Sequence, residues 1–357
     1  MTQRIFSESI SDPQEAPAHR LPDTARQILI SVNPKAGRTS PMIRAEALKQ
    51  ALEREGFSVQ LMTDLDEVSK LANRFHEAGK LRALVGVGGD GTAAELTNRT
   101  VPGTPITLLP AGTANLISKY LKLPKSPQKL AKIIAAGTTM TFDAGRANGR
   151  LFLVMVSVGI DADIVRRVHA QREENYRNKT KKGAHISYWS YIRPIFQSIR
   201  SYQYPLVTLR MPSSAPPGPG SVSANDGNQR QISGKWLFVF NLPQYGWGLP
   251  LVPKCLGTDR QLDYCVFQRG KLASALFEVA MAQCGSLHRF LPHTKLGTAT
   301  QYTLTANQET PYQLDGDPGG VLPLELELVP RRFTIVAPEK RIRKLLKKQR
   351  KAEETFH

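Results

Sequence analysis

Three glycine-bearing loops, each directly after a short apolar run, constrain this chain more than any other feature. They are Asn33-Pro34-Lys35-Ala36-Gly37, Gly88-Gly89-Asp90-Gly91-Thr92 and Leu109-Pro110-Ala111-Gly112-Thr113-Ala114-Asn115. The runs before them, 27–32, 81–87 and 105–109, read as buried strands. Apolar residues at helical spacing fill 42–55 and 65–78, with Gly56 and Gly79 as stops. Residues 58–62 alternate as a strand, and 115–121 read as a helix. The order β-α-β-α-β-α-β predicts a parallel sheet covered on both faces. In an open sheet of this kind such loops gather at the carboxyl ends of the strands, where ligands bind.

Glycine lets backbone N–H groups approach an anion, and the helix after each loop adds a partial positive charge. The loops therefore suit a phosphate. Asp90 inside such a loop would repel one unless a cation such as Mg²⁺ intervenes. No G-x-x-x-x-G-K-[ST] loop follows the first strand and no G-x-G-x-x-G opens the first helix, which argues against Walker-type and Rossmann dehydrogenase sites.

After about residue 143 the rhythm changes. Runs at 151–158, 206–211, 236–241, 262–267, 301–306 and 324–328 read as strands. The expected architecture is α/β, with an N-terminal doubly wound parallel-sheet nucleotide domain over 26–145. A second, mainly β sandwich domain follows over 146–338, carrying a flexible insertion at 212–234. Residues 1–25 are polar, lack the apolar stretch of a signal peptide, and are expected to be a disordered tail of a cytoplasmic protein. Three cysteines with no C-x-x-C pair and no H-E-x-x-H exclude a disulfide scaffold and the usual zinc signatures.

Charge adds one constraint: 48 Lys and Arg face 30 Asp and Glu, a net +18. Ten of the basic residues lie between Arg331 and Lys351, opposed only by Glu339, and a second concentration runs from Arg166 to Lys182. Nucleic acid, an anionic membrane and anionic substrates are the three partners such a surplus suits.

The chain resembles the diacylglycerol kinase catalytic domain family, which includes sphingosine kinases and soluble bacterial lipid kinases. The resemblance rests on the Asn33-Pro34 turn, GGDGT at 88–92 and PAGTAN at 110–115, in the family's order and approximate spacing. It continues through Val158-Gly159-Ile160-Asp161-Ala162, Asn241 with Tyr245-Gly246-Trp247-Gly248, Asp259 to Asp263, and Leu314-Asp315-Gly316-Asp317. Two positions depart from the family's pattern. Its D-G-E reads Asp-Gly-Asp here, so Asp317 is one methylene shorter than glutamate. Its D-G-x-L-D reads Asp259-Arg260-Gln261-Leu262-Asp263.

The resemblance implies an ATP- and Mg²⁺-dependent lipid kinase, with NAD kinase or an inactive binding protein as alternatives. It assigns the nucleotide to Asn33, Gly88, Gly89, Gly91, Thr92, Gly112, Thr113 and Asn115. It assigns metal to Asp90, Asp143 and Asp259. Catalysis falls to Asp90, Asp315 and Asp317, with Asp317 the natural general base. The expected partner is a lipid substrate at an anionic membrane surface, met by peripheral association, rather than nucleic acid. The resemblance also implies that the C-terminal segment, 339–357, packs back on the first domain. An apolar helix face from Tyr188 to Ile199 is a candidate wall for a lipid cleft.

Overall fold

The computed structural model describes residues 18–32, 41–177, 202–212, 229–270 and 272–356. The first glycine loop with Asn33, the Tyr188–Ile199 face and most of the 212–234 insertion lie outside the described residues.

The N-terminal half follows the expected order. Strand β1 (Ala18–Arg20) precedes β2 (Gln27–Val32), α1 (Pro41–Arg54), β3 (Ser58–Met62), α2 (Leu65–Glu77) and β4 (Leu81–Gly88). Then come α3 (Asp90–Arg99), β5 (Pro105–Pro110), α4 (Leu116–Leu121) and α5 (Pro127–Ala136). Local chemistry sets the ends. Asp64 accepts the Asp66 and Glu67 N–H groups to open α2. Ser126 followed by Pro127 opens α5, which ends at the left-handed Gly137. Strands β3-β2-β4-β5 run parallel. Along β4, Leu81 and Leu84 enter one core, while Ala83, Val85 and Val87 enter another on the opposite face.

Residues 18–25, expected to belong to a disordered tail, are part of the fold. β1 pairs antiparallel with β6 (Thr138–Ala147), and Ala25 is buried. Arg82 is the anchor. This fully buried guanidinium donates to Pro22 O at 3.1 Å, Ile134 O at 2.9 Å and Ala135 O, so a cation sits at the carbonyl end of α5.

The second half is a sandwich whose outer sheet continues the first one. Strands β7 (Arg150–Phe152) and β8 (Met155–Val158) replace the single strand expected at 151–158. Helix α6 (Ile160–Arg177) forms where the sequence showed only a charge concentration. Strands β9 (Val207–Pro212), β10 (Gln229–Gly234), β11 (Trp236–Phe240) and β12 (Leu262–Phe267) follow. Then come α7 (Leu272–Gln283), β13 (Thr294–Ala299), β14 (Gln301–Ala306), β15 (Pro311–Leu314) and β16 (Asp317–Val321). The chain ends with β17 (Leu324–Val336) and α8 (Glu339–Phe356). β17 runs well past the 324–328 expected. Its end pairs parallel with β5 and its start pairs antiparallel with β14, so one sheet of order β10-β9-β14-β17-β5-β4-β2-β3 joins both halves. The inner sheet is β13-β12-β11-β8-β15-β16. Period-two alternation fills both its faces: Leu237 and Val239 pack in the sandwich core, Phe238 and Phe240 in the core shared with α2, α3 and α4.

Helix α8 packs back across the junction. Ile342 and Leu345 are buried in the shared core, Arg341 stacks 4.9 Å above the Tyr120 ring, and Lys348 Nζ donates to Cys255 O at 3.3 Å.

Candidate active site

The second and third glycine loops meet backbone to backbone. A Cβ on Gly112 would lie 2.8 Å from Gly89 Cα, so neither position admits a side chain without moving the other loop. Asn115 closes its own turn. Its amide donates to Gly112 O at 2.5 Å and accepts the Gly112 N–H at 3.0 Å, with the residue in the left-handed region asparagine tolerates. Its side chain is therefore engaged in shaping the loop that the sequence assigned to nucleotide contact. Gly88 and Gly89 lead into α3, with Gly91 and Thr92 in its first turn. Thr113 lies half-buried in the Gly112–Asn115 loop.

Asp90 ties the second loop to the third. It is buried, and its two carboxylate oxygens accept the Leu116 and Ile117 N–H groups at 2.8 and 2.9 Å. The acid of one loop caps the helix that follows the other. Burial pushes its carboxyl above the ordinary range, while those two N–H donors and Lys119 oppose the shift.

Asp143 serves a different junction. Its carboxylate accepts the Arg260 and Arg331 N–H groups, both at 2.9 Å, tying β6 to the 259–263 turn and to β17. Asp259 lies beside it, raised to about 6 by burial and by the Asp143 charge. Asp263 is raised to about 8, by burial first and then by Asp259, and one of its oxygens is buried without a hydrogen-bond partner. Of the three residues to which the resemblance assigns metal, Asp90 and Asp143 have both carboxylate oxygens on backbone N–H groups, and Asp259 lies beside Asp143. Among the described residues no three His, Cys, Asp or Glu side chains converge on a possible ion. Arg260 sits at φ +59°, which explains the family's glycine at that place as a left-handed turn residue.

The Asp-Gly-Asp motif is a two-residue hairpin. Leu314 pairs with Asp317, and Asp315 and Gly316 between them both have positive φ, 52° and 93°. Asp315 is bonded into the fold. Its carboxylate is buried and accepts the N–H groups of Leu153, Val154 and Met155 at 2.7–2.9 Å, at the break between β7 and β8. Burial and the neighbouring Asp90 push it up to about 7, against the three donors. Gln313 holds the turn from the other side, accepting the Gly316 N–H at 2.7 Å.

Asp317 differs from these acids. It opens β16 with 39% of its side chain exposed. Its Oδ2 lies 2.8 Å from where a Cβ on Gly91 would stand. The hairpin of the second half thus presents a carboxylate to the glycine loop of the first. Asp161, at the start of α6, braces the same hairpin: it accepts from Ser157 Oγ, from Tyr245 Oη at 2.5 Å and from Gln313 Nε2 at 3.2 Å. Two motifs far apart in sequence, around Asp161 and Tyr245, meet here. Further along α6, His169 Nε2 lies 3.5 Å from Asp317 Oδ1. His169 stands in no recognisable motif and is separated from Asp317 by most of the second half, so no spacing in the sequence pointed to it.

Both halves of the chain are similar to known proteins. The diacylglycerol kinase catalytic domain model matches residues 27–147, and the YegS C-terminal NAD kinase beta sandwich-like domain model matches 192–337. Residues 27–147 thus form a diacylglycerol kinase catalytic domain, and the chain is a diacylglycerol kinase-like kinase that transfers phosphate to an alcohol. It is 23% identical to "Putative lipid kinase YtlR" of Bacillus subtilis, over 85% of this chain and 97% of that one. It is also 23% identical to a diacylglycerol kinase of the same organism, over 88% and 98%. A crystal structure of a diacylglycerol kinase from Bacillus anthracis superposes with a TM-score of 0.59 at 20% identity, covering 88% of this chain and 98% of that one, a likeness of fold.

Proposed function

We propose that the protein transfers the γ-phosphoryl group of ATP to the hydroxyl of a membrane lipid such as diacylglycerol, with Asp317 as general base. The observation that carries this reading is the approach of Asp317 to Gly91 across the cleft. The loop backbone at 88–92 and 112–115 and the N-terminus of α3 hold the phosphates. Asp317 accepts the hydroxyl proton as the new O–P bond forms, while the bond from the γ-phosphorus to the β-bridging oxygen breaks and ADP leaves. The described residues form no protein-only cage for Mg²⁺. An ion arriving with the nucleotide would be held chiefly by phosphate oxygens and water. Accordingly, Mg²⁺ alone should leave the melting temperature unchanged, and ATP should raise it.

The same reading sets the enzyme at an anionic membrane surface. No helix among the described residues is long and apolar enough to cross a membrane. The apolar strip of α8 is used inside the fold, which removes it as an inserting face. Lys340, Arg343, Lys344, Lys347 and Arg350 remain outward. A cation near an anionic leaflet contributes about 1 kcal/mol, so this face suits reversible docking. The triple variant K344E/K347E/R350E should lose salt-sensitive co-sedimentation with anionic vesicles while keeping its melting temperature; unchanged sedimentation would remove α8 from docking. For the activity, γ-labelled ATP is incubated with a panel of lipid alcohols and the extracted products are separated. Labelled lipid is expected. Phosphorylation of NAD with no labelled lipid would overturn the assignment.

A further inference from the structure

We propose that His169 is a positioning residue for Asp317, so that the proton acceptor of this enzyme is a carboxylate held by an imidazole rather than a carboxylate alone. The inference rests on the reading of Asp317 as base given above.

Three observations converge. First, the imidazole Nε2 stands 3.5 Å from Asp317 Oδ1, and the His169 side chain is mostly buried, 23% exposed. A partner at that distance in a half-buried site restrains the carboxylate more than an exposed one would. Second, the helix that carries His169 is itself fixed to the hairpin. Asp161 at its first turn is bonded to Gln313 of β15, and Gln313 in turn holds the Gly316 N–H of the turn. Residues 161, 165 and 169 recur every four positions, so they share one helix face, and Val165 between them is buried. The helix therefore grips the hairpin at two points, one at its base and one at Asp317. Third, Asp317 Oδ2 lies 2.8 Å from where a Cβ on Gly91 would stand, while Oδ1 is the oxygen 3.5 Å from the imidazole. The oxygen near the phosphate loop and the oxygen near His169 are thus different ones.

The chemical consequence concerns reach. Asp317 is one methylene shorter than the glutamate of the family's motif, so its carboxylate has fewer rotamers and stays close to β16. A short acid acts as a base only if it is aimed, and a misplacement of about 1 Å can cost about 100-fold in rate. His169 supplies the aim from the side away from the phosphate loop.

The test is a double-mutant cycle on the full-length chain, with kcat and KM for ATP measured on the best lipid of the panel. His169→Ala should lower kcat about 10-fold or more with little change in KM for ATP, and His169→Gln, which keeps an N–H donor near Nε2, should recover part of the loss. In an Asp317→Asn background the His169→Ala change should have no further effect, because its target is gone. Additive losses, or a His169→Ala enzyme with wild-type kcat, would overturn the proposal. A readout independent of turnover separates its failure from that of the base assignment. The ¹⁵N shifts of the His169 ring should move in Asp317→Asn. Unmoved shifts would overturn the contact itself, whereas moved shifts with a fully active Asp317→Asn would overturn only the base assignment.

Discussion

The hairpin tip at Asp317 and the junction around Asp143 are both acidic, and they differ in what their carboxylates touch. At the junction, Asp143 is buried and bonded to two backbone N–H groups, with Asp259 and Asp263 crowded beside it. At the tip, Asp317 is partly exposed and lies between a glycine and an imidazole. Asp90 and Asp315 belong with the junction by this measure, although they lie close to the tip in sequence or space. A carboxylate wrapped in backbone N–H groups is a cross-link, since those donors would be orphaned if it left. A carboxylate in an open cleft is available for proton transfer. Family membership alone does not separate the two kinds, because all four acids lie within the matched domains.

That division breaks most severely at Gly91. Alanine there would put a methyl group 2.8 Å from Asp317 Oδ2 and push the acid from the loop. Gly91→Ala should lower kcat by about 10²–10⁴-fold, the scale of a lost general base, with the fold retained by circular dichroism. A fully active alanine enzyme would mean that Asp317 works elsewhere.

Asp315→Asn addresses the other kind. One oxygen survives and an amide is turned against buried N–H donors, so unfolding in urea should show a loss of about 1–3 kcal/mol. A stable variant that is catalytically dead would instead return Asp315 to the reaction.

Asp263 gives a pH signature. Its carboxyl is raised to about 8 in the fold from the usual carboxylate value near 3.8. A raised acid contributes its stability fully below the unfolded value and loses it as pH rises through about 8. Asp263→Asn, neutral throughout, should therefore gain in melting temperature relative to the wild type between pH 5 and pH 8.5. A constant difference across that window would contradict the burial assigned to this group.

The smallest effect is expected at Arg260→Gly. Left-handed backbone costs a non-glycine residue about 1–2 kcal/mol, and glycine returns much of that through its freer unfolded chain. Stability should change by less than about 1 kcal/mol and kcat not at all, measured on the same preparations.

The parallel sheet was readable because its strands alternate with amphipathic helices and end in glycines. The second half was harder for particular reasons. The run from Leu151 to Val158 is apolar but for Ser157, and Asp315 takes the N–H groups at its middle and splits it. Strand β6, Thr-Thr-Met-Thr-Phe-Asp-Ala-Gly-Arg-Ala, mixes polar and small residues, so a strand was expected only as far as Asp143, whereas it runs on to Ala147. The glycine loops and the Asp-Gly turn were legible as local chemistry. The direction of each aspartate was not, because it depends on N–H groups brought in by other elements: Leu116 for Asp90, Arg331 for Asp143, Val154 for Asp315. His169 was invisible for the same reason, as its partner arrives from a different sheet strand.

The most direct test is a parallel assay of wild type, Asp317→Asn and Asp143→Asn with γ-labelled ATP and lipid alcohol, each variant also melted thermally. The account predicts labelled lipid from the wild type. Asp317→Asn should melt like the wild type and turn over about 10²–10⁴-fold more slowly. Asp143→Asn should melt earlier, with whatever fraction stays folded retaining turnover. An Asp317→Asn enzyme as active as the wild type, or an Asp143→Asn enzyme fully stable and inactive, would contradict the division of the acids into one that reacts and those that hold the fold.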